Sequence, residues 1–167
     1  MKLGQHALEA LQAEITGKLS PGDDLVVAGE TGISGTLKLI ECRKEILRRY
    51  FSENFLYMST VELQKCMICR DDIVWKDNRI SALYFTEEGG FLSGLWKMAE
   101  ASQIGLEMDF GKVPIRQETI EICEVFDINP YRMRSGGALL IGMPAGEGLD
   151  PFGDLRAYYG FYMGHPG

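Results

Sequence analysis

Two glycine-rich stretches hold the residues of this sequence best suited to chemistry. Thr86-Glu87-Glu88-Gly89-Gly90 precedes a helical apolar pattern, and Ser135-Gly136-Gly137 precedes a continuous apolar run. Glycines at a strand-to-helix turn can present backbone N–H groups to an anion, and the helix N-terminus adds partial positive charge. Thr86, Gly89 and Gly90 therefore form one candidate phosphate site. Ser135 and Gly136 form another, with Arg132 and Arg134 near enough in sequence to pair with an anion. The plainer reading is that the glycines only make turns. Glu87 and Glu88 would complement the helix dipole themselves and repel a phosphate unless a cation stood between. Sequence leaves both readings open.

Cys66-x-x-Cys69 has the spacing of half a zinc site or a redox pair. A structural zinc site takes four ligands, and the chain adds only Cys42, Cys123, His6 and His165. A helix running on to Cys69 would place both thiols on one face as small core residues, so no metal site is assigned. Both histidines lie near the chain ends, and no catalytic residue is assigned. Trp96 and the tail Tyr158-Tyr159-Gly160-Phe161-Tyr162 read either as packing residues or as a contact surface.

The 167 residues, 46% hydrophobic and 25% charged, fit one globular domain. A net charge of −7 argues against nucleic acid or an anionic membrane as partner. No apolar run approaches the roughly 20 residues of a membrane span. The N-terminus carries Glu9 and Glu14 rather than a signal-peptide core, so a cytoplasmic location with reduced thiols is expected.

Leu8, Leu11 and Ile15 predict a helix from Leu3 to Gly17, within a lead-in over residues 1–19 to a single domain over 20–167. Turn residues at 20–24 introduce a buried strand, Leu25 to Gly29. Ser34 is placed to cap one long helix carrying Leu37, Ile40, Ile46, Leu47 and Tyr50. Ser59 and Glu62 have capping-box spacing, which predicts a helix from Thr60 to about Cys69. Ile80 to Phe85 reads as a strand, and Leu92, Leu95, Trp96 and Ala99 as the inner face of the next helix, ended by Gly105. A strand at Leu106 to Phe110, a helix carrying Ile120 and Cys123, and a strand from Gly137 to Met143 follow. Beyond Leu149 a short helix and a last strand near Tyr159 to Met163 are expected. Without strict β-α alternation the fold class is α+β, a mixed, largely antiparallel sheet packed against helices lying mainly on one face.

Several strings, in their order and spacing, carry a family likeness. They are Pro21-Gly22-Asp23-Asp24-Leu25-Val26-Val27, Gly89-Gly90 followed by Leu95-Trp96-Lys97-Met98-Ala99-Glu100-Ala101-Ser102, Val113-Pro114-Ile115-Arg116, Asn129-Pro130-Tyr131 and Ser135-Gly136-Gly137-Ala138-Leu139-Leu140. Together they resemble the C-terminal lobe of the aminoimidazole ribonucleotide (AIR) synthetase-related, PurM-like superfamily, most of all its hydrogenase-maturation branch. The likeness runs from Pro21 to His165 and implies the PurM-like C-terminal-domain fold. It also implies two-lobed, ATP-dependent enzymes whose N-terminal lobe supplies dimerisation, acidic metal ligands and much of the nucleotide site. That lobe is not among these residues. Two departures stand out. Relatives carry an Asp-x-Thr-x-Gly-Gly type of turn where this chain reads Tyr84-Phe85-Thr86-Glu87-Glu88-Gly89-Gly90. The hydrogenase-maturation enzymes end in a reactive cysteine, whereas this chain ends Met163-Gly164-His165-Pro166-Gly167.

The resemblance thus implies a ligand-binding or regulatory C-terminal lobe for a nucleotide or phosphate compound, not catalytic alone. Any use of ATP and Mg²⁺ would require a separate N-terminal lobe. The alternative is a non-catalytic interaction or oligomerisation module that kept the fold and lost the nucleotide chemistry. The expected partner is a second copy or that separate lobe.

Overall fold

The computed structural model describes residues 3–68 and 79–145, together with the backbone of 162–164. Its centre is an antiparallel five-stranded sheet. β1 is Thr16–Gly17, β2 Asp24–Ala28, β3 Ala82–Phe85, β4 Leu139–Met143 and β5 Tyr162–Gly164, in the spatial order β1-β3-β4-β2-β5. β4 lies between β2 and β3 and runs against both, so β2 and β3 share a direction. Ala28 and Phe85, their last residues, both stand opposite Leu139, the first residue of β4. One end of the sheet therefore gathers the exits of β2 and β3 and the entry to β4.

The register also sorts side chains. Val27, Leu140 and Tyr84 form a row on one face, and Val26, Ile141 and Leu83 a row on the other. The first row packs with Leu11 and Ile15 from the N-terminal region, including α1 (Gln5–Ala13), and with Phe91, Leu95 and Met98 of α5 (Gly90–Ser102). The second packs with Ile68, Leu139 and Met143. A sheet buried on both faces explains why β2 and β4 read as unbroken apolar runs. A third, helical core joins α2 (Ile33–Cys42), α3 (Lys44–Leu47), α4 (Glu53–Lys65) and α6 (Gln117–Val125) through Ile33, Ile40, Leu47, Leu56, Leu63 and Ile122. The α+β class expected from sequence is the fold observed, with α1 and α5 on one face of the sheet.

Several local expectations give way to packing. α1 stops at Ala13, and Gly17 (φ 78) sits in β1, where a Cβ would lie 2.2 Å from the Ser81 carbonyl oxygen. The region 3–19 joins the main core, with Gln12 Nε2 donating to the Ala101 carbonyl at 3.0 Å and Lys97 pairing with Glu14 at 2.6 Å. Ser34 is not a cap, because α2 already begins at Ile33 behind Gly32. The long helix breaks at Arg43 (φ −122), which lets Leu47 bury completely and leaves Tyr50 65% exposed.

α4 starts well before Thr60. Its cap is Ser52, whose hydroxyl accepts from the Phe55 N–H at 3.1 Å. Ser59 is buried within this helix because it lies between Leu56 and Leu63 on the inward stripe. In α5 the buried stripe is Phe91, Leu95, Met98 and Ala101, which turns Trp96 outward at 50% exposure, and Gln103 (φ 58), not Gly105, closes the helix. Leu106 to Phe110 forms no strand, since β1 already occupies the outer edge of β3. Leu106 and Met108 cover the main core, and the Asp109 carboxylate accepts from the Gly111 N–H at 2.9 Å to start a 3-10 turn at Phe110–Lys112. The last strand appears as β5, while the short helix expected after Leu149 and the residues Tyr158, Tyr159 and Phe161 lie outside the described residues.

Leu140 is fully buried in the central strand, so Leu140→Ala is expected to cost about 2–5 kcal/mol in urea unfolding. Trp96→Ala, on the solvent side of α5, is expected to stay within about 0.5 kcal/mol of wild type.

Candidate functional site

The chemistry-bearing glycines meet at the sheet end where β2 and β3 leave and β4 enters. Two helices begin there on a left-handed glycine, α2 behind Gly32 (φ 79) and α5 behind Gly89 (φ 79). Each glycine follows its strand at the same interval, Gly32 after Ala28 and Gly89 after Phe85. Such a residue turns the chain sharply enough to start a helix directly from a strand.

Ser135 ties both starts to the entry of β4. Its hydroxyl accepts from the Gly32 N–H at 2.9 Å and donates to the Met133 carbonyl at 2.9 Å. Its N–H donates to the Glu87 carbonyl at 3.2 Å, and its own carbonyl accepts from the Thr86 hydroxyl at 2.7 Å and the Ala138 N–H at 3.2 Å. Ser34 completes the α2 side. Its hydroxyl accepts from the Gly136 N–H at 2.8 Å and donates to the Arg134 carbonyl at 3.1 Å, while the Gly35 N–H reaches the same carbonyl at 2.9 Å.

All five candidate residues, Thr86, Gly89, Gly90, Ser135 and Gly136, thus stand in one cluster, but with different parts. Thr86 and Ser135 are buried, at 1% and 0% exposure, and their hydroxyls are spent on the chain itself. Gly90 (φ 71) is buried against residues 131–133, where a Cβ would lie 2.3 Å from the Met133 carbonyl oxygen. Gly89 opens to solvent, and a Cβ there would meet only Ser93. Arg132 and Arg134 are exposed beside it, Arg134 Nε lying 3.2 Å from Glu88 Oε1. The arrangement is a rigid platform that offers backbone and guanidinium groups outward. None of the five supplies a nucleophile or a general base.

A polar cluster that the sequence did not single out lies next to it. Arg116, just before α6, is held by both Glu118 oxygens at 3.2 and 3.1 Å and lies 3.6 Å from Glu30 Oε2. That Glu30 oxygen is buried with no hydrogen-bond partner. Burial, opposed by Arg116 and reinforced by Glu118, raises the Glu30 carboxyl above its ordinary value of 4.5. Only the Val113-Pro114-Ile115-Arg116 string hinted at this place, because Glu30 is far away in sequence.

α4 ends at Lys65, so the helix that would have put Cys66 and Cys69 on one face does not reach them, and Cys69 lies outside the described residues. Cys66 packs half-buried against the helical core, and its thiol is raised first by burial and then by Glu30. Burial pushes Cys123 up to about 11. Neither thiol is poised as a thiolate nucleophile. Among the described residues no group of His, Cys, Asp and Glu is placed to hold a metal ion, and His165 is not among them.

Residues 20–160 match the C-terminal domain of AIR synthase related proteins. The chain belongs to this family. It is 24% identical over 141 residues to the carbamoyl dehydratase HypE of Rhodobacter capsulatus, covering 84% of this chain and 39% of that protein. It is 23% identical over 124 residues to a putative hydrogenase expression/formation protein of Methanocaldococcus jannaschii, covering 73% and 34%. The chain therefore spans well under half the length of either relative. Its fold is shared with the hydrogenase maturation protein HypE solved in complex with ATP, at TM-score 0.65 and 19% identity over 89% of this chain and 43% of that one. It is shared too with the thiamine monophosphate kinase of Aquifex aeolicus, at TM-score 0.62 and 19% identity over 90% and 48%. No helix among the described residues is long and apolar enough to cross a membrane.

Two outcomes are expected from this geometry. Gly90→Ala meets backbone as well as a left-handed φ and should lower stability by more than about 2 kcal/mol, whereas Gly89→Ala should cost about 1 kcal/mol; urea unfolding separates them. A carboxyl raised on folding opposes the folded state when ionised and ceases to do so as pH falls through its folded value. Glu30→Gln should therefore gain stability relative to wild type at neutral pH. That gap should close as pH falls toward 4.5, read from unfolding midpoints across that range.

Proposed function

We propose that this chain is the C-terminal lobe of an AIR synthase-related system and forms one wall of a site for a nucleotide or phosphate compound. It is not catalytic by itself. The observation that carries this reading is the platform, where two glycine-initiated helices are locked to β4 and the Gly89 backbone, Arg132 and Arg134 face solvent. Thr86, Gly90, Ser135 and Gly136 act as its floor, and Gly89 and the guanidinium groups as its contact surface.

Family membership supports the reading, as does a HypE relative solved with ATP. Glu87 and Glu88, both exposed at the turn, oppose a bare polyphosphate, so binding would depend on Mg²⁺ arriving with the nucleotide. The described residues supply no metal-ligand set of their own, and in this reading the remaining ligands come from a separate N-terminal lobe. A second reading, an interaction module, is favoured by the five large apolar side chains exposed between residues 46 and 67.

The test is thermal unfolding of the pure chain with ATP, ADP, inorganic phosphate and ribose phosphates, each with and without Mg²⁺. A ligand at 100 times its Kd should add about 2.7 kcal/mol of stability. A specific, Mg²⁺-dependent shift that Arg132→Ala together with Arg134→Ala abolishes would support the site. Stability unchanged by every compound would leave the interaction module as the better account.

A further inference from the structure

The described surface distributes its apolar side chains unevenly. Of eight large hydrophobic residues left exposed, Ile46, Tyr50, Tyr57, Met58 and Met67 fall within residues 46–67. Tyr57 is 66% exposed and Tyr50 65%. Tyrosine and methionine are the residue types that protein interfaces favour, the first as a rigid anchor and the second as an adaptable filler.

The same region is basic within an acidic protein. Residues 38–67, from α2 to the end of the patch, hold six Lys and Arg against four Glu, a local excess of two, while the chain as a whole carries −7. Nine of these ten side chains belong to exposed residues, Glu62 being half-buried.

A groove of about 650 Å³ runs between α2 and α4. Lys38 and Glu41 line it from α2, Tyr57 and Gln64 line it from α4, and buried Ile40 and Leu56 form its floor. The residues on each wall repeat at three- to seven-residue spacing, as one helix face does. With 10 and 13 residues the two helices are roughly 15 and 20 Å long, which matches three or so turns of a third helix.

We propose that this groove receives an acidic amphipathic helix of a partner protein. Two helical ridges over an apolar floor are the shape into which such a helix lays its apolar face. Lys38 and Lys44 then meet its acidic flank, and the net charge of −7 on the whole chain makes this basic stretch a preferred place for an acidic partner. The pairs now holding these lysines, Lys38 to Glu41 at 2.8 Å and Lys44 to Glu53 at 3.4 Å, are exposed and cost little to exchange. The walls stand open to solvent, with Lys38 and Glu41 at 68% and 70% exposure, as suits a helix better than an enclosed small molecule. The proposal is independent of whether the glycine platform binds a nucleotide.

The experiment uses the full chain and two labelled synthetic helices with the same leucine stripe, one with glutamate and one with lysine on the remaining positions, followed by fluorescence anisotropy and amide NMR shifts. The glutamate helix is expected to bind saturably, to shift amides of α2 and α4, and to weaken as salt is raised. Lys38→Glu with Lys44→Glu should weaken it at least about tenfold, and Tyr57→Ala should weaken it without changing the salt dependence. Unfolding midpoints of the variants are measured alongside. Equal binding of the lysine helix, shifts on another face, preference for anionic vesicles or duplex DNA, or no saturable binding to the folded chain would each overturn the proposal.

Discussion

A helix that starts inside a protein leaves its first N–H groups without intrahelical acceptors, and burying such groups unpaired is costly. α2 and α5 both start at the same end of the sheet, and the fold depends on how their starts are satisfied. Ser135 holds the turn before each, its hydroxyl accepting from the Gly32 N–H ahead of α2 and its backbone joined to the Glu87 carbonyl and Thr86 hydroxyl ahead of α5. Because that residue is fully buried, its bonds form away from competing water and fix the direction in which each helix leaves its strand.

Topology makes this possible. With β4 between β2 and β3 and antiparallel to both, Ala28 and Phe85 end opposite the same residue, Leu139. The two strand-to-helix turns and the entry to β4 have to share one small space. Glycine is required at Gly90 because the 131–133 backbone passes too close for a Cβ, and the αL conformation at Gly32 and Gly89 follows from the sharpness of the turns. A platform built this way is stiff, and stiffness is what a ligand-facing wall needs to avoid an ordering cost on binding. It also explains why the hydroxyls best suited by type to touch a phosphate, those of Thr86 and Ser135, point into the protein.

Much of this was legible in the sequence. The runs Leu25 to Gly29 and Gly137 to Met143 announced buried strands, and Gly89-Gly90 announced a strand-to-helix turn. Ser135 stood out as a motif residue, yet its role did not, since its partners lie as far as 103 residues away at Gly32 and 49 at Thr86. The Ser59 and Glu62 pair imitated a cap because a buried serine can occupy any position on an inward stripe, whereas the working cap, Ser52, offered no stronger local pattern. Leu106 to Phe110 alternated like a strand, but the edge it would have needed was taken by Thr16–Gly17. In each case the deciding fact was a neighbour distant in sequence.

The central claim is that Ser135 holds both helix starts as one unit, and amide hydrogen exchange in wild type and Ser135→Ala tests it most directly. The variant loses the hydroxyl bonds to Gly32 and Met133 but keeps the backbone bonds to Glu87 and Thr86. The Gly32 amide should exchange slowly in wild type and lose most protection in the variant, with a smaller loss at Gly35, Thr86 and Ser135 and none in β2 and β4. Rapid exchange of Gly32 in wild type, or its protection unchanged in the variant, would contradict the account.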